Sequence, residues 1–205
     1  MSIILVTGFE PFAGASLNPS AEVAGRLDGR RVGGMEVRAA VLPVHHVGAA
    51  ADVAKLLDVH DPIAVVHLGL AGERAQIALE RIAINVMDYA IPDNAGWQAR
   101  DVCCVAGGPA AYFSTLPLRA MLGAFHGAGV PAYLSSTAGT YLCNFVMYTT
   151  LHLLAAAPAP RPAGFIHLPM LPSMVVAGPS ELPSMDLGLM LRGVEAALEV
   201  LASGQ

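Results

Sequence analysis

Charge is scarce in this sequence: Asp, Glu, Lys and Arg make up only 13% of its 205 residues, and the net charge is −5. No basic cluster extends beyond Arg30-Arg31, which excludes the electrostatic footprint of a nucleic-acid binder. A disulfide framework is also missing. The cysteines number three, with two adjacent at 103 and 104, and an odd count of this kind fits a reducing compartment. Cys103 and Cys104 read as packing residues on a strand, the usual lot of free cysteine. Nor is there an apolar run of about 20 residues able to cross a bilayer. Thr140 to Ala157 is interrupted by Asn144, Thr149, Thr150 and His152, and Ile3 to Val6 stops at Thr7-Gly8. Met1-Ser2 has no basic n-region, so no signal peptide is expected and a cytoplasmic location is. Finally, no histidine is spaced from a carboxylate or thiolate as metal ligands are, so no metal site is expected.

What the sequence has in abundance is apolar surface: 55% of residues are hydrophobic and the mean hydropathy is +0.56. A chain of this length buries most of that surface in one domain, expected over residues 1–205, and an oligomer interface offers an outlet for the excess. Ser2 to Val6 reads as a strand. Asn18-Pro19 has the signature of an N-cap and first helical residue, opening a helix to about Leu27. Glu36 to Leu42 alternates as a second strand, Val47 to Val59 has helical spacing, and Ile63 to Leu68 is a central strand. Ile77 to Met87 reads as an extended segment or hairpin arm at a sheet edge, closed by a turn at Ile91 to Gly96. A helix over Leu116 to Phe125, a strand over Ala132 to Ser135 and a helix over Tyr141 to Leu154 follow. Then come a core strand over Phe165 to Leu168, a proline- and methionine-rich loop over Pro169 to Ser184, and a terminal helix over Asp186 to Leu201. This alternation predicts an α/β fold: a three-layer α/β/α sandwich around a mostly parallel, mixed and twisted sheet, with ligands at the carboxyl ends of the strands.

Cys143 is the first candidate nucleophile. It sits just inside a helix start, after the small-residue turn Ser135 to Gly139, where first-turn amides and the helix dipole favour a thiolate at neutral pH. A cysteine nucleophile needs a base, and the base needs an orienting group. His167 is the best-placed of seven histidines, at the end of Gly164-Phe165-Ile166-His167-Leu168-Pro169. His67, inside Val65-Val66-His67-Leu68, reads as a hydrogen-bonded core histidine. Glu80, in the apolar stretch Ile77 to Asn85, must be paired if buried. Each has a bland alternative: a packed thiol, a rim histidine, a carboxylate bonded to Arg81 or another base. The loop Thr7 to Gly14 lacks the lysine and hydroxyl residue of a phosphate loop. Its Phe9 and Phe12 either pin the loop or line an apolar pocket for a flat, uncharged group.

Four segments together resemble the pyroglutamyl peptidase I family of cysteine exopeptidases. They are Val6 to Phe12 with Asn18-Pro19-Ser20; Gly69-Leu70-Ala71-Gly72 through Glu80-Arg81-Ile82-Ala83-Ile84-Asn85 and Ile91-Pro92-Asp93-Asn94; Thr137 to Asn144; and Gly164 to Pro169. The resemblance implies Cys143 as nucleophile, His167 as general base and acid, and Glu80 as the residue orienting His167. It implies that Phe9 and Phe12 flank the lactam of an N-terminal pyroglutamyl residue, while backbone groups near Leu70 and Ala71 read its amide edge. It also implies peptides blocked by pyroglutamate as substrates, no cofactor, a cytosolic location and a homo-oligomer, commonly a tetramer. Ala13, Glu73, Ser136, Phe145 and Ala90 depart from the family pattern, Ala90 standing where many members carry an arginine. Two rival readings are a phosphate-dependent glycosyl transferase on a similar scaffold and a non-catalytic homologue that binds blocked peptide N-termini.

Overall fold

The computed structural model describes residues 2–157, 159–176 and 181–203. In chain order the strands are β1 (Ile3–Phe9), β2 (Arg31–Val32), β3 (Met35–Leu42), β4 (Ala64–Leu70), β5 (Ile77–Glu80), β6 (Ile82–Ile84), β7 (Ala111–Phe113), β8 (Ala132–Ser135) and β9 (Ala163–Leu168). The helices are α1 (Pro19–Leu27), α2 (His46–His60), α3 (Leu118–Gly127), α4 (Leu142–Ala155), α5 (Pro172–Val176) and α6 (Leu187–Ser203). Seven strands form one sheet in the order β2-β3-β1-β4-β9-β5-β8.

Alternate residues of a strand face opposite ways, and here both faces are covered. Ile4 and Val6 of β1, Val66 and Leu68 of β4, and Ile166 and Leu168 of β9 pack against α1, α3 and α6. Leu5, Val65 and Phe165, the intervening residues, pack against α2 and α4. The expected three-layer sandwich follows from this alternation. Strands β3, β1, β4 and β9 run parallel. β5 and β8 are parallel to each other, but β5 is antiparallel to β9.

Most element boundaries fall within two residues of the expected ones. α1 begins where Asn18 accepts a bond from the Ser20 amide, 3.1 Å, with Pro19 first in the helix. Three expectations need correction. Ile77 to Met87 is not one segment at the edge of the main sheet, although its second half does form an antiparallel arm. It divides into β5, interior to the main sheet, and β6, which pairs with β7 in a separate two-stranded sheet. The polar residues that suggest an edge have buried partners instead: Glu80 points into the site described below, and Asn85 bonds the backbone of Val105 and Gly108. Cys103 and Cys104 lie in a loop, not on a strand, and Cys103 is exposed. That segment is held by Asn85 and by an isolated bridge from Met87 to Val102 rather than by a ladder. The proline- and methionine-rich loop contains the short helix α5, while residues 177–180 lie outside the described residues.

Candidate active site

The reversal of β5 against β9 builds the centre of the site. Glu80 pairs in register with Phe165, and His167 lies two residues further along the same face of β9. Diagonal neighbours across a ladder are within reach of long side chains. Glu80 Oε1 accordingly accepts a bond from His167 Nδ1 at 2.8 Å, with Glu80 fully buried and His167 4% exposed. A carboxylate only accepts, so Nδ1 carries the proton and Nε2 is left as the basic nitrogen. The same oxygen accepts a bond from Arg74 Nη1 at 2.5 Å, and Arg74 Nη2 donates to the Thr137 carbonyl at 3.2 Å. Arg74, not the Arg81 next in sequence, is the cation paired with Glu80.

Cys143 is the second residue of α4. The chain enters that helix through Gly139, whose φ of +79° suits glycine, and through an extended Tyr141. Asn144, fully buried, fixes the helix start: its Oδ1 accepts from the Ile84 amide at 2.9 Å, and its Nδ2 donates to the carbonyls of Ile84 and Val86 at 2.8 and 3.0 Å. Gly69 lies beside both partners, since it is the register neighbour of His167 on β4. A Cβ at Gly69 would sit 3.0 Å from Cys143 Sγ and 2.6 Å from the Phe165 ring, so glycine permits the close approach.

Cys143 and His167 open into one cavity of about 140 Å³. A volume of that order admits a single small ring. Its walls are Phe9, Phe12, Val44, Leu70, Ala138, Tyr141 and Leu142, with Asn18 at one side. Asn18 is already engaged as the α1 cap and as a donor to Glu10 O at 3.1 Å. The aromatic loop is pinned: Glu10 Oε1 accepts from the Val44 amide and from Asn94 Nδ2, at 2.9 and 2.8 Å. Phe9 packs on Phe165 and Phe12 on Tyr141, ring centroids 6.3 and 6.0 Å apart. Leu70 reaches the cavity. Ala71 is not among its lining residues: its N–H donates to Leu168 O at 2.9 Å and its carbonyl accepts from the Arg74 amide at 3.1 Å.

Burial governs the protonation states. It pushes the Cys143 thiol up to about 12, with Glu80 adding to the rise, while Arg74 and the residue's own backbone N–H pull the other way. The thiolate expected at neutral pH from the helix start is thus a resting thiol, because desolvation outweighs the first-turn amides. Burial also lowers His167 below the ordinary histidine value against the pull of Glu80, leaving it neutral. For Glu80, burial would raise the carboxyl, but His167 first, then Ser135 and Arg74, hold it below the usual carboxylate value. The centre is a thiol beside a neutral imidazole oriented by a charged carboxylate.

Residues 2–204 match the family described as pyroglutamyl peptidase. The chain is 48% identical to the pyrrolidone-carboxylate peptidase of Gloeobacter violaceus over 202 residues, 98% of each chain. It is 44% identical to that of Pyrococcus furiosus over 200 residues, 96% of each. The chain belongs to the pyroglutamyl peptidase family. The solved pyrrolidone carboxyl peptidase of Thermococcus litoralis superposes with a TM-score of 0.95 at 39% identity, covering 100% of this chain and 97% of that one. A solved mutant of the Pyrococcus furiosus enzyme gives 0.95 at 41%, covering 98% and 99%.

Of the residues that sequence singles out in this pyroglutamyl peptidase family member, the fold brings Glu80, Cys143, His167, Phe9, Phe12 and Leu70 together. His67 is a core residue, its ring nitrogens 2.7 and 2.8 Å from the hydroxyls of Thr7 and Thr150. Arg74, Asn144 and Tyr141 are the residues that sequence reasoning passed over. Asn144 and Tyr141 lie within two residues of Cys143 in the motif, a signal of proximity. Arg74 has no such marker. Ala90 is exposed, and the cation acting on the thiol is Arg74.

Proposed function

We propose that this protein is a cysteine exopeptidase that removes the N-terminal pyroglutamyl residue from peptides through a thioester acyl-enzyme. The observation that carries the reading is the apolar cavity in front of Cys143, whose lining residues are uncharged, His167 being neutral. A free α-ammonium group would lose its hydration there without a counter-ion, whereas a neutral lactam would not. Phe9 and Phe12 flank the ring, and the backbone of Leu70, which reaches the cavity, reads its amide edge; Ala71, with its N–H and carbonyl both engaged, does not.

The reaction follows from the protonation states. As Cys143 Sγ attacks the pyroglutamyl carbonyl, its proton passes to His167 Nε2, and Glu80 stabilises the imidazolium. The first-turn amides of α4, including that of Cys143, face the developing oxyanion, and each such donor contributes about 3–4 kcal/mol to lowering the barrier. His167 then gives its proton to the leaving amine. Water, deprotonated by His167, cleaves the thioester and restores the thiol. Family membership favours this reading over the phosphate-dependent transferase, and the paired Glu80–His167 favours it over the non-catalytic homologue.

The test is release of a chromophore from a pyroglutamyl amide. Cys143→Ala abolishes it while circular dichroism stays unchanged; full activity in that variant would overturn the assignment. We extend the proposal to a homo-oligomer, a tetramer by resemblance. Support comes from the exposed apolar side chains, Phe113 at 73% and Val47 at 67%, and light scattering decides it. A cytoplasmic location accords with the three free cysteines.

A further inference from the structure

We propose that Arg74 is a positioning residue that ties the Glu80–His167 pair and the turn in front of Cys143 into one unit, so that base and nucleophile share a single guanidinium anchor. One arm of the fork bonds Glu80 Oε1 at 2.5 Å, the oxygen that also holds His167. The other donates to the Thr137 carbonyl at 3.2 Å, which the Ser135 hydroxyl also bonds at 3.1 Å. Thr137 Oγ1 in turn accepts from the Gly139 amide at 3.1 Å, and Gly139 is the left-handed residue from which the chain enters α4. The guanidinium lies 6.0 Å over the Tyr133 ring, and the Arg74 amide bonds Ala71 O at 3.1 Å, so both ends of the residue are held. A planar fork joins two acceptors at fixed separation, which an ammonium cannot do.

The charge of Arg74 has two consequences of the same sign. It lowers both the Cys143 thiol and the His167 imidazole. The other titratable groups facing Cys143 are Glu80 on β5, His167 on β9, Tyr141 before α4 and Tyr89 in the loop after β6. Both tyrosines are pushed up by burial and stay neutral across the working range. Removing the Arg74 charge therefore moves the acid limb of kcat/KM and the alkylation profile of Cys143 both toward higher pH. A residue that merely stabilised the fold would move neither.

The experiment compares Arg74→Gln, Arg74→Lys and Arg74→Ala with the unaltered protein. It records kcat and KM on a pyroglutamyl coumarin amide and, without substrate, the rate of iodoacetamide alkylation against pH. Arg74→Gln lowers kcat on the order of 10- to 100-fold with KM within twofold, as misplacement of reacting groups does, and shifts both profiles upward. Arg74→Lys restores the profiles but not kcat. The open cleft that Arg74 shares with Glu73, Ala75, Gln76 and Tyr133 admits a small cation, so methylguanidinium, but not methylammonium, restores turnover to Arg74→Ala. Unshifted profiles with kcat within twofold in Arg74→Gln, or full kcat in Arg74→Lys should the Gln variant not fold, would overturn the proposal. The kinetic arm rests on the acyl-transfer reading and the alkylation arm does not, so an unaltered protein that releases no coumarin sinks that reading while alkylation still decides on Arg74.

Discussion

One oxygen of Glu80 holds two side chains, the imidazole proposed as base and the Arg74 guanidinium. Glu80→Gln removes the charge that favours imidazolium and no longer dictates the His167 tautomer, so kcat is predicted to fall by about 10²- to 10⁴-fold. The sign on pH is also set. Glu80 raises His167, so its loss moves the acid limb of kcat/KM down, the opposite of the shift from losing Arg74. In the unaltered protein that limb is predicted to lie below 6.5, the ordinary histidine value; a limb at or above 6.5 would contradict a burial-lowered base. Cys143, His167 and Glu80 could be nominated from the sequence as reactive types at an element end or in an apolar setting, but only the family resemblance joined them into one site. Arg74 could not be nominated: its partners Glu80 and Thr137 lie 6 and 63 residues away along the chain, and folding alone joins them. The protonation state of Cys143 was illegible for the same reason, since burial by distant residues decides it.

At the scale of elements, strands and helices could be read closely from periodicity and caps, whereas the pairing partners of β5 could not. Local sequence carries no mark of direction. Yet the reversal of β5 against β9 is what sets Glu80 beside His167, and a parallel β5 would present its residues in a different register. The close stacking of β4, β9 and α4 adds a second constraint at Gly69. Gly69→Ala would press a methyl group on the Phe165 ring and on Cys143 Sγ. It is predicted to destabilise the fold by about 1–3 kcal/mol and to reduce kcat by on the order of 10²-fold. Gly25→Ala in α1, where nothing lies within 4 Å, should be neutral or stabilising by up to about 1 kcal/mol. Urea midpoints and turnover measured on both variants check the pair; equal effects would contradict the packing argument.

For the molecule as a whole, the buried titratable groups predict acid lability. His67 is lowered from 6.5 to about 3 by burial, and His167 is lowered too. Between pH 6.5 and about 3 the unfolded chain binds a proton that folded His67 refuses, so stability falls by about 1.4 kcal/mol per pH unit, and His167 acts in the same direction. Glu80 acts in the same direction further down. Its folded pKa lies below the ordinary 4.5, so the stability it confers is present above 4.5 and lost as pH falls through the folded value. Urea midpoints between pH 7 and pH 4 should therefore decline, and His67→Gln should remove one proton from the slope. A flat profile would contradict the burial of neutral histidines. The single-domain sandwich itself was legible, because strands covered on both faces read as continuous apolar runs.

In the proposed mechanism Cys143 carries the pyroglutamyl group as a thioester during turnover. Acid-quenching the protein in the presence of a pyroglutamyl peptide, followed by mass spectrometry of its proteolytic fragments, tests this directly. An adduct with the mass of one pyroglutamyl group is expected on the fragment containing Cys143, absent from Cys143→Ala and enriched in any variant slow to deacylate. Turnover of the peptide with the thiol of Cys143 unmodified throughout, or with the adduct on another residue, would contradict it.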